Sequence, residues 1–227
     1  MSPRLSHILI ALSGILGTIL LGLYFGIGFS IGLAQLPPSV TLAQELSVAR
    51  QYHNLWFLGT WLQATGSLLS VVFFLALVQR ARAVTRLAGL LTILGSATLL
   101  AVVLIEGVFT IGLAAAAVNG QQTASLTFFV IMTVFTYIYP IVPAPVIFLA
   151  LGTILLGSHL LPRVFGYLAF ILGIAFAVVG LVGLFTTSLL TIVVLSLQAL
   201  WVLAAAITFL FRAGVASDAT GEARLNS

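Results

Sequence analysis

The residue best placed to do chemistry is Glu106, a carboxyl set in the apolar run Ala-Val-Val-Leu-Ile-Glu-Gly-Val-Phe at 101–109. A charge at such a position is expensive and usually functional. The only other acidic residues are Glu45, Asp218 and Glu222. A lone carboxyl can hold a proton, accept from a ligand's donor group or hydrogen-bond to a neighbouring helix. Without a paired acid, a base or a metal cluster it is not a recognisable catalytic constellation, so no catalytic residue is assigned. His7, His53 and His159 are spread along the chain, near the inner, outer and inner boundaries of the topology read below. Only His7 and His159 could meet there, and no metal site is expected. With no cysteine, disulfides, thiolate nucleophiles and iron–sulfur clusters are excluded. No lysine is present to form a Schiff base. No glycine-rich segment precedes a Lys-Ser/Thr, and no serine sits in a Gly-x-Ser-x-Gly elbow.

The elements that must position Glu106 are apolar helices. Of 227 residues, 62% are hydrophobic and 5% charged, and the mean hydropathy is +1.29. Soluble domains carry about 25% charged residues, so hydrocarbon must cover most of this surface. A membrane span needs roughly 20 apolar residues. Six segments qualify, at about 8–34, 54–78, 87–118, 126–156, 164–185 and 189–211. The expected fold is all-α: one transmembrane domain of six helices over 1–212, followed by a polar, small-residue tail at 213–227 expected to be disordered. Asn119-Gly120-Gln121-Gln122 marks the turn after the third span, and Thr186-Thr187-Ser188 links the fifth to the sixth.

Orientation follows from the eight arginines, because cytoplasmic loops hold the excess of basic residues. With the N-terminus inside, Arg4, Arg80, Arg82, Arg86, Arg163, Arg212 and Arg224 all lie on that side and only Arg50 lies outside. Both termini are therefore expected in the cytoplasm. The basic residues are too few and scattered for a nucleic-acid footprint. Arg4, the first apolar run and Gly32-Leu33-Ala34 loosely imitate a signal peptide, but the run is too long for the usual apolar core, and its retention as a span is expected. The outer loop 35–53 has Leu42, Leu46, Val48 and Ala49 at helical spacing, which reads as a short amphipathic helix at the membrane interface. Tyr52, His53 and Trp56 follow at headgroup level.

At about 1.5 Å per residue, Glu106 lies roughly 15 Å below the outer boundary. The same counting puts Tyr24, Gln63, Thr136, Tyr137 and Gln198 in its layer, with Trp201 slightly deeper. This polar layer is either a set of interhelical hydrogen bonds, a binding site for a small solute or lipid-like molecule, or, least readily, a reaction centre. Pro140, Pro143 and Pro145 each remove a backbone donor from the fourth span. Broken helices of this kind either line transporter sites or are plain kinks. Gly22-xxx-Gly26, Gly28-xxx-Gly32, the pair Gly59 and Gly66, and Gly166, Gly173 and Gly180 mark faces for close helix approach, within the chain or between chains.

Residues 149–175 carry Leu-Gly at a helix end followed by Ser158-x-x-x-Pro162-Arg163-x-x-Gly166 and then Gly173. This pattern resembles the bacterial multi-pass membrane family known as domain of unknown function 4386. Leu-Ile-Glu-Gly at 104–107 is a fainter echo, without the arginine associated with that helix in the family. The resemblance implies a six-helix protein of the bacterial cell membrane and supplies no activity. The motif also has a plain physical account: Pro162 marks a helix boundary at the inner face, Arg163 reaches anionic headgroups, and Gly166 lets the fifth span approach the fourth. The expected role is an integral membrane accessory or binding protein, taking a partner subunit or a small lipophilic ligand, with membrane lipid around it and a membrane-protein partner or a second copy beside it. The alternative is a proton-coupled small-solute transporter using Glu106 and the proline-broken fourth span. No residue set specifies a cofactor.

Overall fold

A computed structural model of the protein describes residues 3–28, 42–183 and 189–225. Every regular element among them is helical: α1 Pro3–Gly28, α2 Leu42–Gln51, α3 His53–Arg80, α4 Leu87–Val118, α5 Gln122–Ile141, α6 Pro143–Leu156, α7 Arg163–Gly183 and α8 Leu189–Leu225. Five of them, α1, α3, α4, α7 and α8, contain stretches long and apolar enough to cross a membrane. α4 has the expected bounds, and its exit turn passes through Gly120 at φ +71°, a conformation that favours glycine. The Thr186-Thr187-Ser188 link and Gly32-Leu33-Ala34 lie outside the described residues.

One expectation needs correction. The fourth apolar segment is two helices rather than one, broken at Val142 (φ −119°, ψ −65°). Pro143 has no N–H to give to the carbonyl of residue 139, and its ring crowds that turn, yet its fixed φ suits the first position of a new helix. α8 runs as helix to Leu225. An existing helix extends at little cost, because nucleation is the expensive step.

α1 packs against α3 and α8, α3 against α4, α4 against α5 and α6, α6 against α7, and α7 against α8. The helices therefore close a ring. Its centre is aromatic: Phe148 stacks on Phe176, centroids 5.8 Å apart, and meets Phe74 and Trp201 edge-on at 5.9 and 5.5 Å. Glycines set the closest approaches. A Cβ on Gly66 would lie 3.0 Å from the Gly17 carbonyl of α1, and one on Gly152 would lie 3.1 Å from the Gly166 carbonyl of α7. Gly166 thus brings α7 against α6, as its place in the sequence suggests. Gly22 and Gly26 behave otherwise, since nothing lies within 4 Å of a Cβ built on either. Their expected packing face is unused among the described residues.

Apolar side chains cover the outside of the bundle as well as filling its core. Leu94, Val108, Leu181 and Leu200 sit along apolar helices yet are 63%, 65%, 65% and 62% exposed. Ser67, Ser70, Thr92, Ser96 and Glu106 are buried among the apolar core residues. An apolar exterior of this extent is costly in water and natural in hydrocarbon.

Side-chain contacts gather the arginines. Arg80 donates to Ser6 Oγ at 2.7 Å, joining the end of α3 to the start of α1. Arg212 donates to the carbonyls of His159 and Leu160 at 3.0 and 3.1 Å, joining α8 to the α6–α7 turn. The His7 and Phe209 rings lie 5.1 Å apart. The start of α1, the end of α3, the α6–α7 turn and the Phe209–Arg212 stretch of α8 thus share one end of the bundle. Arg50 is at the other end, where its Nε donates to the Ala117 carbonyl at 3.0 Å. α2, which carries Arg50, rests its Ala49 and Leu46 on Leu113 and Ala117 of α4 and on Phe128 of α5. The amphipathic helix is present, with part of its apolar face packed against protein.

Candidate functional site

Gln63 and Glu106 reach the same point from antiparallel helices. The Gln63 amide donates from Nε2 to Glu106 Oε2 at 3.1 Å. Glu106 is 8% exposed and Gln63 9%. α3 and α4 can pack this tightly because Gly107 follows the carboxyl residue: a Cβ there would lie 2.8 Å from Thr60 Cγ2. Thr110 returns its hydroxyl to the Glu106 carbonyl at 2.8 Å, and Thr60 does the same to Trp56 at 3.0 Å. Both hydroxyls are thereby satisfied within their own helices.

α1 supplies the third member. Tyr24 is half-buried, its ring edge 3.5 Å from where a Cβ of Gly59 would be. It lies close enough to Glu106 for the two to interact electrostatically. Beside Tyr24 on α1, Leu23 is 53% exposed and no described atom lies within 4 Å of a Cβ built on Gly22 or Gly26, so this helix borders the outside of the bundle.

The remaining residues of the expected layer divide. Trp201 belongs to the aromatic centre, where its Nε1 donates to the Phe165 carbonyl at 3.0 Å. Gln198 is half-buried three residues before it on α8, a helix packed on α1 and α7. Thr136, Tyr137 and Pro140 lie on α5 with side chains outside the described residues. Pro143 and Pro145 are buried at the start of α6. Thr60, Ser67 and Ser70 were missed as buried polar neighbours of Gln63. The signal was present, because positions 60, 63, 67 and 70 recur at the three-and-four spacing of one helix face.

Among the described residues no three His, Asp or Glu side chains come together. The group can offer one carboxyl, one carboxamide and one phenol to a small polar head, with apolar surface around it. Comparison of the chain with protein-family models, with curated proteins and with solved structures finds no match.

Proposed function

We propose that this chain is a six-span integral protein of a bacterial cell membrane, with both termini in the cytoplasm, that binds a small lipophilic ligand at Glu106, Gln63 and Tyr24. The observation carrying this reading is the buried Gln63–Glu106 hydrogen bond between α3 and α4. A carboxyl at membrane depth needs partners, and Tyr24 gives this pair a half-exposed border through which a ligand can arrive from the bilayer. The arginines at one end support the orientation under the positive-inside rule. α5 and α6 together supply the remaining span. The resemblance of 149–175 to a bacterial multi-pass family agrees with that location. The open Gly22 and Gly26 face of α1 is where a partner helix or a second copy would approach.

Native mass spectrometry of the protein in a mild detergent tests the binding role. A bound small molecule of constant mass is expected across preparations, and a protein consistently empty in every mild detergent contradicts it.

A second reading, proton-coupled transport of a small solute, is favoured by the break at Val142, because α5 and α6 both pack on the helix that carries Glu106. Glu106→Gln separates the two. A binding protein keeps its stability and partners in that variant, whereas a proton-coupled transporter loses solute-driven proton movement in reconstituted vesicles.

A further inference from the structure

At the arginine-bearing end, the α3–α4 turn and the α6–α7 turn border a half-open cavity of about 220 Å³. Ala81, Ala83 and Ala88 form one side, Thr153 and Ser158 the other, and the Arg86 side chain lines it as well. Arg80 and Arg212 at this end spend their guanidinium groups on Ser6 and on the α6–α7 carbonyls. The Arg86 guanidinium has no hydrogen-bond or ion-pair partner among the described residues, its backbone alone being bonded, to Ala83 and Leu90. The Ser158 hydroxyl is held only by a long 3.5 Å contact to the Leu155 carbonyl, so it can turn to donate elsewhere. Glu106 is far up α4, roughly 30 Å from Arg86 along the helix axis, and does not neutralise it.

The turn that presents Arg86 is rigidly built. Two residues past the end of α3, Arg82 lies at φ +52°, in the left-handed conformation, and the Ala83 N–H closes back on the Val78 carbonyl at 3.0 Å. The Ala83 carbonyl then lies over Gly89, where any Cβ would collide with it. A non-glycine residue held at positive φ costs of order 1 kcal/mol, and the turn's bonds hold it there. Arg86 therefore starts from a fixed backbone position beside the cavity.

We propose that this cavity binds the phosphate of an anionic phospholipid headgroup, with Arg86 as the charged donor and Ser158 as the hydroxyl donor. Arginine suits a phosphate because its planar fork gives parallel hydrogen bonds. Basic pockets between spanning helices on the cytoplasmic side are suited to such headgroups. The assignment is independent of the Glu106 site and rests only on the arginine end lying at headgroup level. It separates Arg86, which lines the cavity, from Arg163, which is exposed at the same end and does not.

The test is native mass spectrometry of the full chain, titrated with phosphatidylglycerol, with phosphatidylcholine and with inorganic phosphate. Wild type is expected to take one phosphatidylglycerol in preference to phosphatidylcholine. Arg86→Gln should weaken that binding about ten-fold, the loss of one charge-assisted hydrogen bond, while Arg163→Gln leaves it within two-fold of wild type. Both substitutions are at exposed positions, and unchanged thermal melting confirms that each variant is folded. Equal losses in the two variants would show attraction to the whole basic end and overturn the proposal, as would undiminished binding in Arg86→Gln. Displacement of the lipid by millimolar inorganic phosphate would assign the site to a free anion and overturn the lipid as its source.

Discussion

Gln63 Nε2 lies 3.1 Å from Glu106 Oε2, and the two side chains are the polar link between α3 and α4 at the level of Gly107. Removing one partner strands the other away from water, which costs about 1–3 kcal/mol, whereas replacing both with apolar residues of similar shape is far milder. Glu106→Leu should therefore lower thermal stability in detergent clearly, and the Gln63→Leu/Glu106→Leu pair should recover most of the loss. A double-mutant cycle read by thermal melting checks this. Strictly additive losses would mean that the hydrogen bond does not join the helices.

The glycines of α1 and α3 make a contrasting pair of expectations. Gly66→Val places side-chain carbon against the Gly17 carbonyl and the Leu21 nitrogen, and backbone cannot give way as a flexible side chain can. Overpacking of this kind costs about 1–3 kcal/mol. Gly22→Val meets open space and should leave melting of the isolated bundle almost unchanged. If the Gly22 variant instead shifts the protein to a smaller particle in size-exclusion with light scattering, that face holds copies together.

Arg50 ties α2 to the rest of the chain by donating to the Ala117 carbonyl, where a cation also complements the C-terminal end of α4. Arg50→Gln should loosen α2 by about 1 kcal/mol, with little effect on global melting. Hydrogen exchange over 42–51 should rise by roughly five-fold. Unchanged exchange there would mean that Ala49 and Leu46 hold the helix without the arginine.

Fluorescent or enzymatic tags on the two ends should both report from the cytoplasm, and Arg163→Glu should reduce the amount of protein inserted more than any activity of what remains. Normal abundance with lost function in that variant would make Arg163 part of a site. Tags on opposite faces of the bilayer would contradict the six-span reading.

The helices were largely legible because hydrocarbon imposes one rule, an apolar run of sufficient length, and α4 shows it at both ends. The break at Val142 was half legible. The prolines announced a disturbance, but whether the chain would kink or restart as a helix depends on how Pro143 packs, which composition does not encode. At the site, counting depth put Glu106 and Gln63 at one level, but that they meet in a hydrogen bond is read from the structure. Depth alone could not say which side of its helix each residue uses, and Trp201 shows the consequence, turned toward Phe148 and Phe165. The cavity beside Arg86 depends on two turns distant in sequence coming together, for which no local pattern exists.

Under the proposed function, the Gln63–Glu106 pair, bordered by Tyr24, holds a small molecule inside the membrane. The most direct measurement is ligand occupancy by native mass spectrometry in wild type beside the Gln63→Leu/Glu106→Leu variant, the substitution that removes the polar pair while sparing the fold. The expected result is a bound molecule in wild type and an empty, equally helical protein in the variant. The same molecule at the same occupancy in both would contradict the claim.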